Sequence, residues 1–224
     1  VAKLQSYRFD AGKLQLTICF RYPISGFEQK ISDHVSQQLL KDKAISSVDV
    51  QLSHAVVSHR VQSGLKGHKK IKNIIAVVSG KGGVGKSTVA VNCALALQQL
   101  GLSVGILDAD IYGPSQPHML GITEKPQALD NHMMAPVIAH DLQTMSIGYL
   151  VSQDTPMIWR GPMVSSALQQ LLFQTLWRDM DCLIVDMPPG TGDIPLTLSK
   201  KIPVSGSIVV TTPQDIALLD AQKA

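Results

Sequence analysis

The sequence predicts an α/β fold with a doubly wound, mostly parallel sheet, preceded by a small α+β unit. From Ile71 onward, short apolar runs alternate with helical patterns, which is the rhythm of βαβ units. Before that point, two segments with alternating side chains flank one amphipathic helix. We therefore expect a small α+β unit over residues 1–59, a linker over residues 60–70 and a larger domain over residues 71–224.

Three segments define the small unit. Residues 13–20 alternate between apolar and less apolar side chains, which is the period of a half-buried strand. An apolar stripe at four-residue spacing runs from Phe27 to Leu39 and predicts a helix. Residues 48–52 alternate again and predict a second strand. Because two strands and one helix make a marginal core, we expect this unit to dock on another element or to have lost a leading one.

The next segment interrupts the apolar periodicity with Gly64, Gly67 and a basic cluster. That cluster consists of Lys66, His68, Lys69, Lys70 and Lys72. The composition favours a flexible linker, and a basic anion-binding patch is the alternative interpretation.

The large domain begins with the apolar run 74–78, which is typical of a strand covered on both faces. A helix is predicted from Lys86 to about Leu100, where Gly101 ends it. Further strands are expected at residues 104–107, 182–185 and 207–210, with helices at about 164–176 and 216–224. Since neither a C-cap nor a return strand follows the last helix, we expect the gene product to continue past Ala224.

Composition excludes several classes of protein. No run approaches the ~18 apolar residues of a membrane span. Aromatic residues make up only 4% of the chain, which disfavours a nucleic-acid site built on stacked bases. The three cysteines are sparse and odd in number, which argues against a disulfide framework. We therefore expect a cytoplasmic protein with neither a membrane nor a nucleic-acid partner.

A phosphate-binding loop lies between the first strand and the first helix of the large domain. Gly80-x-x-x-x-Gly85-Lys86-Ser87 matches the P-loop pattern. Its glycines allow successive N–H groups to face a phosphate, and the helix N-terminus adds its dipole. Lys86 is expected to reach the β- and γ-phosphates of ATP, and the Ser87 hydroxyl to ligate Mg²⁺. The expected nucleotide contacts are Gly80, Lys81, Gly82, Gly83, Val84, Gly85, Lys86, Ser87 and Thr88.

Acidic residues follow two other predicted strands. Asp108 and Asp110 leave one strand, and Asp186 leaves another. Since ligands bind at the carboxyl ends of strands in an open parallel sheet, both segments should converge on the loop. Asp186 is the candidate for holding Mg²⁺ through water, and Gly190 for offering its N–H to the γ-phosphate. Asp110 is the candidate for orienting or deprotonating the attacking water, with support from Asp108. Helix capping is the alternative role for such residues.

Lys81 is an additional lysine at the start of the loop. On its own it is compatible with a surface charge. The segment 81–88, however, resembles the deviant Walker A motif of the MinD/ParA/nitrogenase iron protein class. That resemblance implies that Lys81 reaches the phosphates of a partner subunit and that the protein forms an ATP-dependent homodimer.

Beyond the loop, the chain resembles the Mrp/NBP35 (ApbC) family of P-loop ATPases, which carry iron–sulfur clusters. The matching segments are residues 79–88, 107–115, 159–163, 186–193 and 211–215. The resemblance implies an ATPase that delivers [4Fe–4S] clusters to apoprotein clients and works with cluster-assembly proteins. In the wider class the loop after the last strand borders the base and ribose, which makes Pro213 and Gln214 candidate nucleotide contacts. The small unit is faintly similar to MIP18-like domains.

The sequence departs from the family pattern in one respect. The family binds its cluster through a Cys-x-x-Cys pair downstream of the last helix, shared between two subunits, and this chain contains no such pair. Cys93 and Cys182 lie in apolar patterns and are interpreted as core residues. We therefore expect the cluster ligands of the full-length protein to lie outside this chain, and the metal ligands within it to be Ser87 and Asp186, for Mg²⁺.

Other functions are compatible with the same loop. The main alternative is a MinD/ParA-like positional switch that binds membrane or DNA when dimeric, which would require a basic amphipathic helix or a basic dimer face. A small-molecule kinase would need an acceptor pocket. A non-hydrolysing interaction module would bind ATP without turnover.

Overall fold

The computed structural model describes residues 2–149 and 161–222. The chain forms two compact units, Val1–Val57 and Ser58–Ala224. Residues 58–70 belong to the second unit, where Gln62 Nε2 donates a hydrogen bond to the carbonyl oxygen of Ser199 at 3.0 Å. The domain and linker boundaries expected from the sequence stay predictions. Trp159 and Arg160, which belong to one family-like segment, and the end of the expected last helix lie outside the described residues.

The first unit is a three-stranded sheet with one helix. Its elements are β1 (Ala2–Asp10), β2 (Lys13–Phe20), α1 (Glu28–Leu39) and β3 (Ser47–His54). Strand β2 pairs antiparallel with β1 and parallel with β3, with α1 as the connection between β2 and β3. Strand β1 was not foreseen because a register shift between Leu4 and Ser6 breaks its alternation. It adds a third strand to a unit for which the sequence predicted two.

The second unit alternates strands and helices, as expected. In chain order its elements are β4 (Ile71–Val78), α2 (Lys86–Gln99), β5 (Val104–Asp108), α3 (Gln116–Met119), β6 (Val137–Ala139), β7 (Leu142–Ser146), α4 (Gly161–Phe173), β8 (Met180–Asp186), α5 (Asp193–Ser199), β9 (Gly206–Val209) and α6 (Asp215–Ala221). Among the described residues, no helix is both long and apolar enough to cross a membrane.

The sheet of the second unit has six strands in the order β6-β7-β5-β8-β4-β9. All neighbouring pairs are parallel except β6 with β7. From β4 the chain moves outward to β5 and β7, returns to β8, and then adds β9 on the far side of β4. This reversal confirms the predicted α/β fold with a mostly parallel sheet. It also brings the carboxyl ends of β5, β8 and β4 side by side, where open α/β sheets bind ligands.

The core explains why the central strands are apolar. Leu107, Leu183 and Val185 on β5 and β8 are completely buried, as expected for strands covered on both faces. Helix α2 packs against β8 and β5 and buries Ala90 and Ala94. Because alanine side chains are small, they allow the helix to pack closely against the sheet.

Strand β7 was missed by sequence reasoning for a physical reason. All five of its residues are buried although three of them are polar. Their hydrogen bonds are made inside the protein: Gln143 Oε1 accepts from the backbone N–H of Arg178 at 2.7 Å, and Thr144 Oγ1 donates to the carbonyl oxygen of Val137 at 2.9 Å. A buried strand whose polar groups are satisfied by other segments of the protein shows neither alternation nor an apolar run.

Candidate functional site

The loop between β4 and α2 forms an open concave backbone. Gly83 and Gly85 have φ angles of +79° and +90°, a left-handed conformation that favours glycine. Gly85 is also the N-cap residue of α2. Apart from the adjacent residues in the chain, no heavy atom of the described residues lies within 4 Å of the position that a Cβ would take at either glycine. The loop therefore leaves room for a ligand at the positive end of the α2 dipole.

Lys86 is the first residue of α2 and its side chain points into the strand ends. It is only 6% exposed. Its Nζ atom lies 2.5 Å from Oδ1 of Asp186, 3.5 Å from Oδ2 of Asp110 and 3.4 Å from Oγ of Ser87. The structure thus brings together four residues that the sequence analysis predicted for the site. A buried ammonium group needs such partners, because an uncompensated charge in the interior is costly.

Asp186 ends β8, the strand between β5 and β4, and its side chain is completely buried. Both of its carboxylate oxygens accept hydrogen bonds. Oδ1 accepts from Lys86, and Oδ2 accepts from Nε2 of Gln116 at 2.8 Å. The central position of β8 explains why this carboxylate is reached from both the loop helix α2 and the segment after β5.

Asp108 and Asp110 occupy different positions after β5. Asp108 is fully buried, and its oxygens accept from the backbone N–H groups of Asp110 and Gln116 and from Ser146 Oγ. Burial, together with the carboxylates of Asp186 and Asp110, raises the pKa of Asp108 to about 7, against the opposing effect of the two N–H donors. Asp108 therefore organises the segment that carries Asp110.

The Asp110 carboxyl faces Lys86. Burial raises its pKa above the ordinary value, the Lys86 ammonium opposes this shift, and Asp186 adds to it. Oδ1 of Asp110 is buried and accepts no hydrogen bond from the described residues. A buried acceptor without a partner is destabilising unless a donor enters the site, so this oxygen is suited to receive a proton donor from a ligand or water.

Gln116 was missed by sequence reasoning. Its Nε2 atom donates to Asp186 and, at 3.0 Å, to the carbonyl oxygen of Ser87, while its backbone N–H donates to Asp108. Its Oε1 atom is buried with no partner among the described residues. One polar residue in the four-residue helix α3 has no periodic signal, so only the tertiary contacts identify it as part of the site.

Other predicted residues lie around this cluster. Lys81 is half-buried, and no carboxylate of the described residues is within ion-pair distance of its ammonium group. The N–H of Gly190 donates to the carbonyl oxygen of Ser79 at 2.8 Å, so contact with a phosphate would require that hydrogen bond to break. Pro213 and Gln214 are exposed between β9 and α6, and within the described residues neither makes a hydrogen bond or ion pair with the cluster.

The loop, the buried lysine and the carboxylates at adjacent strand ends are the arrangement of a nucleotide site. The family model described as the NUBPL iron-transfer P-loop NTPase (ParA) matches residues 70–224. The chain belongs to this family. The match covers the whole six-stranded sheet and confirms the resemblance to iron–sulfur cluster carriers.

Curated relatives of this NUBPL-type NTPase agree with the family assignment. An iron–sulfur cluster carrier protein of Escherichia coli K12 is 56% identical over 89% of this chain and 54% of its own length. A carrier of the same name from Haemophilus influenzae is 54% identical over 96% of this chain and 58% of its own length. The iron–sulfur cluster transfer protein NUBPL of the mouse is 48% identical over 76% of this chain and 56% of its own length. The chain therefore spans about half the length of the curated relatives it matches.

Solved structures show the same fold. A nucleotide-binding protein from Archaeoglobus fulgidus in complex with ADP is 36% identical, with a TM-score of 0.58 over 68% of this chain and 60% of that chain. The cell division ATPase MinD of Pyrococcus furiosus is 22% identical, with a TM-score of 0.50 over 67% of this chain and 64% of that chain. The second similarity concerns the fold alone.

Proposed function

We propose that the protein binds and hydrolyses ATP and that it carries an iron–sulfur cluster to client proteins. The observation that carries this proposal is the Lys86 ammonium group, which is held between the buried carboxylates of Asp186 and Asp110 at the mouth of the glycine loop. Membership of the NUBPL iron-transfer family supports the carrier role. The names of the relatives support it further.

ATP binds along the loop in this proposal. The backbone N–H groups of residues 80–88 surround the β-phosphate, and the left-handed glycines keep that space clear of side chains. Lys86 moves from the carboxylates toward the β- and γ-phosphates, because the phosphates offer it more negative charge. Pro213 and Gln214 contact the base or ribose, and Gly190 contacts the γ-phosphate once its hydrogen bond to Ser79 is released.

The oxygen atoms around Lys86 fit a magnesium ion. The Ser87 hydroxyl and the Asp186 carboxylate are the hard oxygen ligands that Mg²⁺ prefers, and Mg²⁺ usually retains several waters. Two further buried oxygens, Oδ1 of Asp110 and Oε1 of Gln116, have no donor among the described residues and suit the protons of such waters. Ser87 would hold the ion directly and Asp186 through water. When bound, Mg²⁺ neutralises charge on the β- and γ-phosphates.

Hydrolysis requires a positioned water and compensation of negative charge. Asp110 orients the water, and Asp108 holds the backbone of Asp110 through a 3.1 Å hydrogen bond. Lys81 lacks an acidic partner within the described residues of its own chain, which suits a role on the phosphates of a second copy in an ATP-dependent homodimer. ATP hydrolysis would then shift the dimer between two arrangements with different affinities for the cluster.

The cluster is the cargo of the protein in this proposal. Its ligands, a Cys-x-x-Cys pair in each of two subunits, lie outside these 224 residues and hold one [4Fe–4S] cluster in the full-length protein. The three cysteines of the chain are free thiols. The proposed partners are apoprotein clients and cluster-assembly proteins, and the proposed location is the cytoplasm.

Iron and acid-labile sulfide per subunit test the carrier role. The full-length product is reconstituted anaerobically beside the chain of 224 residues, and ATP turnover is measured for both the full-length product and its Asp110→Asn variant. We expect about two irons per subunit in the full-length product, none in the shorter chain, and loss of turnover in the variant. If neither the full-length product nor the shorter chain held iron while ATP turnover was intact, the carrier role would be excluded and a MinD/ParA-like positional switch favoured. Turnover that is absent and unchanged by the substitution would exclude the ATPase.

A further inference from the structure

A second cavity lies at the other end of the sheet from the glycine loop. Its lining comes mainly from the segment that precedes β4, from the end of α4 and the residues between α4 and β8, and from Lys201 and Pro203 ahead of β9. These strands are parallel, so their starts lie at the edge opposite the carboxylate cluster. The cavity has a volume of about 600 Å³, which is within the usual range of ligand sites.

The wall of this cavity is apolar and partly aromatic. Trp177 is buried beneath it, and its indole N–H donates to the carbonyl oxygen of Leu172 at 2.8 Å. Phe173 and Leu176 remain 46% and 55% exposed within the lining. His68 stacks on Phe173 with ring centroids 5.7 Å apart, which holds the segment 65–70 against helix α4. Such a wall can bury one bulky apolar side chain of a ligand.

The rim of the cavity is basic. Lys66, Lys69, Lys70 and Lys201 contribute to it from two separate segments. Lys70 is paired with Asp179 at 3.1 Å, but none of the other three has a carboxylate within ion-pair distance among the described residues. Burial lowers the pKa of His68, so its ring is neutral at pH 7 and the lysines carry the charge. Positive groups from two segments match several carboxylates spaced along a chain better than a single anion.

We infer that this lysine-rimmed cavity is a docking site for an acidic peptide segment with one bulky apolar side chain, supplied by a partner protein. The apolar side chain contacts Phe173 and Leu176, and the flanking carboxylates contact the unpaired lysines. The concave shape disfavours a flat lipid surface. Among the described lining residues, the exposed aromatic ring is that of Phe173, and it is already stacked on His68. Little aromatic surface is therefore left for stacking with the bases of a nucleic acid. The inference is independent of the proposed ATPase and carrier activities.

Fluorescence polarisation with a labelled peptide tests the inference. The probe is a short peptide with one Phe flanked on both sides by Asp and Glu, and its control has Ala in place of Phe. We expect Lys69→Glu to weaken binding of the probe by about tenfold or more. Lys125→Glu is the matched control, since this substitution changes the net charge by the same amount. Lys125 is exposed and does not line the cavity. Unchanged melting temperatures of both variants verify the fold.

Four outcomes would overturn the inference. The first two are equal weakening of probe binding by Lys69→Glu and Lys125→Glu, and equal affinity of the protein for the Phe and Ala peptides. The other two are displacement of the probe by a single-stranded oligonucleotide of equal charge, and its displacement by anionic lipid vesicles. The first two would leave only non-specific attraction, and the last two would assign the cavity to another class of partner. Weakening of the interaction by added salt is expected, because the lysines are exposed.

Discussion

The side-chain amide of Gln116 donates a hydrogen bond to Oδ2 of Asp186 at 2.8 Å, although the two residues are 70 positions apart. The same nitrogen donates to the carbonyl oxygen of Ser87 at 3.0 Å. Gln116 thus connects the start of α2 with the end of β8. It orients the carboxylate that we propose for the magnesium site.

Replacing Gln116 by leucine tests this connection. The Gln116→Leu variant deprives a fully buried carboxylate oxygen of its donor, so we expect unfolding in urea to require about 1–3 kcal/mol less free energy. Gln99→Leu, at an exposed position at the end of α2, is the control. The proposed orienting role also predicts that Gln116→Leu weakens the Mg²⁺ dependence of ADP binding. Equal stability of the two variants would refute the structural part of this prediction.

Two variants distinguish the contribution of the ion pair between Lys86 and Asp186 to stability from the contribution of Lys86 to ADP binding. Lys86→Met leaves Asp186 buried without its cation, and we expect a loss of about 3–5 kcal/mol in unfolding free energy. Adding Asp186→Asn removes the uncompensated charge and should restore part of that loss. Neither variant should bind ADP tightly, because both lack the lysine that we propose for binding the phosphates. Calorimetry measures both quantities, and a double variant no more stable than Lys86→Met would contradict this account.

Gly80 allows a close approach between the loop and α6. A Cβ at this position would lie 2.5 Å from the carbonyl carbon of Asp220, which is too close for any backbone contact. We expect Gly80→Ala to displace the loop or α6 and to lower both thermal stability and ADP affinity. Gly67→Ala is the control, since within the part of the chain that the structure describes only its chain neighbours come within 4 Å of its Cβ position. Identical melting temperatures for the two variants would show that α6 does not pack there.

Lys81 is expected to act in a second copy of the chain. Lys81→Ala should therefore retain ADP binding in the monomer but reduce ATP turnover in the dimer by about 10²-fold or more. Mixing it with the Asp110→Asn variant distinguishes this role from one within the same subunit. In a mixed dimer, one of the two sites contains an intact Asp110 and receives an intact Lys81, so part of the turnover returns. No recovery on mixing would argue against a role across the dimer.

The thiol of Cys182 should be unreactive toward alkylating reagents in the native protein. Burial, with smaller effects of Asp181 and Cys93, raises the pKa of its thiol to about 12, so roughly 10⁻⁴ of it is thiolate at pH 8. Iodoacetamide should label it only after denaturation, whereas the half-buried Cys19 and Cys93 serve as internal references. Because the native state favours the protonated thiol, this group makes stability fall as pH rises above about 9. Native labelling of Cys182 as fast as that of Cys93, measured by mass spectrometry, would contradict its burial.

The elements that the sequence predicted correctly are those encoded by local patterns of residues. The apolar runs of β4, β5 and β8, the glycine spacing of the loop and the glycine that ends α2 all act over a few neighbouring positions. Strand β1 was not predicted because a bulge shifts its register between Leu4 and Ser6. Strand β7 was not predicted because its buried polar groups form hydrogen bonds with residues outside the strand.

The sequence by itself determined the fold class, the phosphate loop and the acidic residues at the strand ends, because strand and turn preferences are encoded in short stretches of chain. Only the tertiary structure decided which of these residues meet. The crossing from β5 to β7 and back to β8 places Asp186 within reach of both Lys86 and Gln116. The pairing of β9 with β4 places the lysines of residues 66–70 and Lys201 around one cavity. Contacts between residues far apart in sequence depend on strand order, and no local pattern of side chains specifies that order.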